Sequence, residues 1–311
     1  MSALAPKVAF FGSPAFALPV LEAIRATVPV VLVVTQPDKP AGRRLSLTPP
    51  PVAARARELN LPLAQPQRLR RDEAFAATLA ASGASVAVTC AYGKILPASL
   101  LAIPEYGFLN VHTSLLPELR GAAPIQWAII RGYRRSGVTI MRTDPGLDTG
   151  PILLQEGLDI GPDENAADLA DRLAALGAEL IVRALRDLPG LKATPQDDAA
   201  ATLAPLLTRE DGRLCFRDPL DAVKARFLGV TPWPGTWFEH EGRRVKVHSL
   251  LAEAGGPGGA PGEVLAVSDG VKIAVSGGSI DLRVVQPESK ARMNAGDWAR
   301  GHGVKTGVIL S

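Results

Sequence analysis

Three short runs of apolar residues constrain this chain more than anything else in it: Lys7–Gly12 (KVAFFG), Val30–Thr35 (VVLVVT) and Val86–Thr89 (VAVT). A strand with one wet face alternates apolar and polar side chains, whereas a strand covered on both faces reads as a continuous apolar run. After the first run, Phe16, Val20, Leu21 and Ile24 recur at helical spacing, so a strand feeds a helix. The order strand, helix, strand predicts an α/β domain, Rossmann-like, with a mainly parallel open sheet. Val138–Arg142 and Ile152–Glu156 add strands, and Ala123–Arg131 a helix. Asp163–Leu188 is a longer helix, with Leu169, Leu173, Leu176 and Leu180 along one side. Gly12-Ser13-Pro14 follows the first strand, but the further glycines of a dinucleotide-binding turn are missing, which argues against a nicotinamide cofactor.

The texture changes after residue 188. Pro189–Pro205 has no apolar periodicity and reads as a linker. Beyond it, Leu220–Leu228 predicts a short helix. Thr236–Ser249 turns on Glu241-Gly242, and Val264–Val285 turns at Asp269-Gly270 and Gly277-Gly278. Short alternating strands with tight turns predict a smaller, antiparallel β-barrel. A chain of 311 residues is long enough for two such domains, expected at 1–188 and 208–311 with a linker over 189–207. The two cysteines, Cys90 and Cys215, sit far apart and suggest no disulfide framework. No CxxC or HxxxH spacing offers a metal site, no apolar run reaches the length of a membrane span, and Met1–Pro6 lacks the features of a signal peptide. A cytoplasmic protein is expected.

Candidate chemistry gathers in two places. Leu109–Gly121 (LNVHTSLLPELRG) sets Asn110 and His112 two residues apart, so on a strand they share a face. Two polar groups there can donate to one developing oxyanion. Asp148 lies between Gly146 and Gly150, on a loop able to bring a carboxylate against His112. Each residue alone has an ordinary explanation as a turn or strand-end group; together they make an acyl-transfer constellation.

The conjunction Asn110-x-His112, Ser114-Leu115-Leu116-Pro117, Arg120-Gly121 and Asp148-Thr149-Gly150 resembles the signature of the 10-formyltetrahydrofolate-dependent formyltransferases, and most closely the branch that acts on methionyl-tRNA. The resemblance runs through nearly the whole chain, and Thr231–Thr236 (TPWPGT) resembles the family's entry into a C-terminal OB-like domain. It implies transfer of a formyl group from 10-formyltetrahydrofolate to the α-amine of initiator methionyl-tRNA by a monomer, with no metal and no membrane. It assigns Asn110 and His112 to the oxyanion, with His112 held as imidazolium by Asp148 and its pKa raised, while Asp148 also orders a proton-relaying water. Ser114, Leu115, Leu116 and Pro117 are implied to shape the folate and formyl cradle, with Ile95 and Leu96 as the apolar wall of a pterin pocket or simply as core.

Between Lys39 and Arg71 eight basic residues face one acid, Glu58. Part of this excess lies in Gln36–Pro51 (QPDKPAGRRLSLTPPP), whose five prolines predict no regular structure. That stretch resembles the loop the branch inserts into the tRNA acceptor stem, with Arg43 as its principal residue and Lys39 and Arg44 beside it. Arg44 stands where the family commonly has glycine. In the second domain, Arg244 and Lys246 are expected on one face of a strand as further tRNA contacts, with Arg243 opposite. Three other readings share parts of this pattern: an N-formyltransferase for a nucleotide-linked amino sugar, a 10-formyltetrahydrofolate hydrolase, and an RNA-binding module on an inert scaffold. The first two leave the basic loop or the second domain without a purpose, and the third treats Asn110, His112 and Asp148 as coincidence.

Overall fold

The computed structural model describes residues 5–41, 46–256 and 258–310. They form two compact units, one of Met1–Pro124, Arg135–Asp159 and Ala170–Pro205, the other of Ile125–Arg134, Ile160–Leu169 and Leu206–Ser311. The chain therefore contributes to the second unit well before residue 208, the start expected from composition.

The strands of the first unit are β1 (Val8–Gly12), β2 (Val30–Val34), β3 (Lys39–Ala41), β4 (Ser46–Thr48), β5 (Leu63–Ala64), β6 (Val86–Cys90), β7 (Phe108–His112), β8 (Arg120–Gly121), β9 (Arg135–Arg142), β10 (Ile152–Asp159) and β11 (Leu203–Ala204). Seven of them form one sheet in the order β10-β9-β7-β6-β1-β2-β5. The pairs from β7 across to β5 are parallel, while β9 and β10 join antiparallel at one edge. β1 and β6 are buried at every position, as their unbroken apolar runs require. Phe11 anchors the core of this unit, meeting Phe75, Tyr92 and Phe108 edge-on at centroid distances of 6.2, 5.4 and 5.1 Å. The helix at Ala166–Asp187 begins where the Asn165 side chain accepts from the amides of Ala167 and Asp168. Its Gly177 lies against β7 and β9, where an added Cβ would stand 2.9 Å from Val111.

Two segments depart from expectation. The proline-rich stretch does hold regular structure, because β3 and β4 pair antiparallel with Pro40 opposite Leu47. A proline is tolerated in such an isolated two-stranded pair, where one missing donor costs little. The stretch read as a linker, 189–207, is not free chain either. Thr194 exchanges two 2.8 Å backbone bonds with Ile152, and β11 pairs in parallel with β8. Its polar side chains bond to neighbouring backbone and leave no apolar period to read.

In the second unit β12 (Thr236–His240), β13 (Arg243–Ala254), β14 (Val264–Val267), β15 (Val271–Val275), β16 (Gly278–Pro287) and β17 (Met293–Asn294) form an antiparallel, OB-like sheet in the order β12-β13-β16-β15-β14, with β17 on β16. Among the described residues this path does not close on itself. Irregularities at Val247–Leu250 and Val264–Ala266 bend it. Phe238 and Trp298 stack edge-on at 5.5 Å at the centre of its core.

Candidate active site

β7 ends at the carboxyl edge of the parallel strands, where open α/β sheets receive their ligands. Its residues Asn110 and His112 converge on one carboxylate. Asn110 Nδ2 lies 3.4 Å from Asp148 Oδ1, and His112 Nδ1 lies 3.6 Å from Asp148 Oδ2. Asp148 reaches them from a left-handed backbone position (φ 52°), a conformation that costs a non-glycine residue about 1 kcal/mol or more. Its loop is closed by Asp144, whose carboxylate accepts from the Gly146 amide and the Thr149 hydroxyl. The Gly121 amide donates to Asp148 Oδ2 at 2.9 Å, so the carboxylate has backbone support as well.

The imidazole of His112 is 5% exposed. Its Nε2 stands 3.1 Å from the Leu119 carbonyl oxygen, which as an acceptor fixes a proton on that nitrogen and leaves Nδ1 turned to Asp148. Leu119 too is left-handed (φ 60°). Burial pushes the ring below the ordinary imidazole range, opposed by the Asp148 charge and by the Leu119 carbonyl. This corrects the expectation of a raised value. Asp148 acts in the expected direction, but at 3.6 Å it makes a long contact that does not offset desolvation. The resting ring is therefore neutral at pH 7.

The sequence concealed the residue that orients Asn110. Thr89, opposite Asn110 in the β6–β7 register, donates its hydroxyl to Asn110 Oδ1 at 2.8 Å. With the oxygen so engaged, the amide presents its N–H groups to Asp148 and to the space beside it.

Ser114–Pro117 is held from below by two polar groups on the antiparallel strands. Thr139 donates to the Ser114 carbonyl at 2.7 Å and accepts from the Leu116 amide at 3.1 Å. Gln155 donates to the Leu116 carbonyl and to Thr139 Oγ1, both at 2.9 Å. The Leu116-Pro117 peptide is cis. Leu116 is buried, while Leu115 and Pro117 keep part of their surface open. The structure separates Ile95 from Leu96: Leu96 packs in the core, and Ile95 is 89% exposed. Cys90, next to this region, is buried with its thiol pushed up to about 12, which removes it as a nucleophile. Among the described residues no cluster of metal-ligating side chains occurs, and no helix is long and apolar enough to cross a membrane.

Of the basic candidates, Lys39 bonds to Gln36 Oε1 at 2.9 Å, and Arg43 and Arg44 lie outside the described residues. In the second unit, Arg244 and Lys246 sit across from Glu239 and Trp237 of β12. Both line a groove of about 500 Å³ with Arg209, Trp233, Trp237 and Gln286. The Arg244 guanidinium stacks over Trp237 at 4.0 Å and pairs with Glu210 at 2.6 Å.

The chain is similar to known proteins. Residues 6–185 match the model of the formyl transferase family, and residues 206–303 match that of the formyl transferase C-terminal domain. A methionyl-tRNA formyltransferase of Deinococcus radiodurans is 58% identical over 310 residues, 99% of this chain and 97% of the relative. Its counterpart in Thermus thermophilus is 48% identical over 98% of this chain and 99% of the relative. In fold, the chain is similar to an N-formyltransferase of Helicobacter canadensis, solved with folinic acid and dTDP-3-aminofucose. That match has a TM-score of 0.67 and 14% identity, covering 91% of this chain and 99% of that one. HypX of Aquifex aeolicus, solved with tetrahydrofolic acid, matches with a TM-score of 0.62 and 17% identity over 96% of this chain and 47% of that one.

Proposed function

The chain belongs to the formyl transferase family, and from that premise we propose that it carries the formyl group of 10-formyltetrahydrofolate to the α-amine of initiator methionyl-tRNA in the cytoplasm. The observation that carries this reading is the convergence of Asn110 and His112 on Asp148, an arrangement suited to attack on an amide-like carbonyl. The Asn110 amide, oriented by Thr89, donates to the oxyanion that forms as the amine adds to the formyl carbon. One such preorganised donor is worth about 3–4 kcal/mol.

His112 begins neutral. As the amine adds, its nitrogen becomes acidic; His112 takes up that one proton while negative charge grows on the formyl oxygen, is stabilised as imidazolium by Asp148 beside Nδ1, and then releases the proton toward N10. Asp148 also orders the water through which that proton passes. The C–N10 bond breaks as the new amide carbonyl re-forms. Ser114–Pro117, braced by Thr139 and Gln155, shapes the cradle for the donor, and Leu96 backs it from the core. Ile95, projecting from the surface, is free to close over a bound pterin.

Lys39, Arg43 and Arg44 are assigned to the acceptor stem, and Arg244 and Lys246 to the phosphate backbone. The groove that holds the latter pair combines cations with indole rings, the composition of a single-strand nucleic-acid track. An amino-sugar acceptor is the competing reading. Against it stand full-length relatives at 48–58% identity named for methionyl-tRNA, while the sugar enzyme shares only 14%. Purified protein given 10-formyltetrahydrofolate and either methionyl-tRNA or an amino-sugar nucleotide decides between them. Formyl transfer to the sugar alone would overturn the proposal.

A further inference from the structure

The segment Thr194–Ala204 touches the catalytic carboxylate's loop and β8, the short strand that follows Leu119, at the same time, through one side chain. Gln196 donates both of its amide hydrogens to backbone carbonyls of the Asp148 loop, to Asp148 O at 2.8 Å and to Gly150 O at 2.7 Å. Its Oε1 accepts from Arg120 Nε at 3.0 Å. Arg120 is buried, and its remaining fork reaches Asp198 at 2.8 Å. Gln196 thus engages both amide hydrogens and its oxygen, and it joins two stretches of chain that the site requires in fixed register.

Farther along the same segment, Thr202 secures the other side. Its hydroxyl accepts from the Leu119 amide at 2.8 Å, and its carbonyl accepts from the Arg120 amide at 2.8 Å. These bonds seat Leu119, whose carbonyl orients His112, and Gly121, whose amide holds Asp148. The backbone at Asp148 and at Leu119 is left-handed in both cases. Such positions persist only where surrounding bonds over-determine them.

We infer that Gln196 is a positioning residue for formyl transfer: bridging Arg120 to the Asp148 loop, it sets the distance and angle of the Asp148 carboxylate relative to His112. The inference rests on the reaction proposed above. Gln196 touches neither the donor nor the acceptor in this account, and its effect passes through Asp148 alone.

The test is a double-mutant cycle in the full-length protein, with formyl transfer to methionyl-tRNA as the assay. Gln196→Ala removes both donors. Gln196→Glu keeps the shape and the Arg120 contact but leaves the two carbonyls unpartnered. Each should lower kcat by about tenfold to a hundredfold, the loss that follows from misplacing a reacting group by an ångström or less, with KM for the folate donor changed less than twofold. In an Asp148→Asn background, already poor in activity, Gln196→Ala should cost less than about threefold more, because positioning a group that no longer acts has no value. Additive losses in the two backgrounds would overturn the inference and leave Gln196 a purely structural residue. So would a kcat for Gln196→Ala within twofold of wild type. A wild-type protein unable to formylate methionyl-tRNA would instead overturn the reaction itself, and the two failures are read from different arms. Gln196 is only part-buried on the surface of its unit, so both variants should fold, with circular dichroism as the check.

Discussion

Thr89→Val tests whether the oxyanion donor is preorganised or merely present. Valine matches threonine in shape and keeps the β-branched side chain that a buried strand favours. What it loses is the hydroxyl that donates at 2.8 Å to Asn110 Oδ1 in a site where Thr89 is only 6% exposed. The direct loss is one neutral hydrogen bond, and it leaves the Asn110 oxygen without that partner, for a combined cost of about 1–3 kcal/mol. Some of this is recovered if the amide rotates, but rotation turns the oxygen toward Asp148, where two acceptors repel. The cost therefore falls on the geometry of the N–H groups, and it is felt when the oxyanion forms. At about 1.4 kcal/mol per tenfold, kcat should drop roughly fivefold to a hundredfold, with KM for the folate donor steady. Thr89→Ser, which restores the hydroxyl, should recover most of the rate. Steady-state formylation of methionyl-tRNA at saturating donor reads both numbers. A Thr89→Val enzyme with kcat within twofold of wild type would falsify the orienting role.

Asn110→Ala and His112→Ala should each reduce kcat about a hundredfold to a thousandfold, while fluorescence-measured folate binding stays within a few-fold. Titrated by NMR, His112 should protonate below the ordinary imidazole value, about 6.5, because burial lowers it; Asp148→Asn should move it lower still, and a wild-type midpoint above 7 would contradict the neutral resting ring. The sign for stability follows, since a base whose folded value is depressed contributes fully above the unfolded value. Its contribution is lost as pH falls through the folded one, so His112→Asn should flatten the loss of Tm as pH falls below the ordinary imidazole value, about 6.5. Replacing Arg244 and Lys246 together by Ala should make tRNA binding less salt-sensitive, by up to about 2 in the log–log slope, with folate affinity unchanged. Arg244 must leave Glu210, a partly exposed pair worth only about 0.2–1 kcal/mol, so a phosphate can displace it; an unaltered slope would remove this face from the tRNA footprint.

What the sequence disclosed and what it hid divide along physical lines. A strand buried on both faces announces itself, because solvent imposes no alternation on β1 and β6. The shared face of Asn110 and His112 was legible too, since a period of two belongs to the strand backbone itself. Asp148 was legible only as a residue type in a glycine-flanked loop; that it adopts φ 52° and takes the Gly121 amide depends on chain brought in from elsewhere. Thr89 was hidden because a threonine in an apolar run is indistinguishable from a strand former chosen for its shape. Gln196 was hidden for the opposite reason. A segment that binds through side chain to backbone carbonyl needs no apolar face, so Thr194–Ala204 has the composition of a linker and the bonding of a scaffold. The His112 shift was misjudged because a carboxylate partner can be guessed from spacing, whereas desolvation is a property of the finished core. The same division governs the chemistry. Asn110 and His112, proposed to meet the formyl group, sit on a strand with a readable period, whereas Thr89 is masked within an apolar strand and Gln196 sits where no period exists. Substitutions that leave the recognisable signature intact can therefore still lower the rate, through Thr89 or Gln196, without touching any residue of that signature.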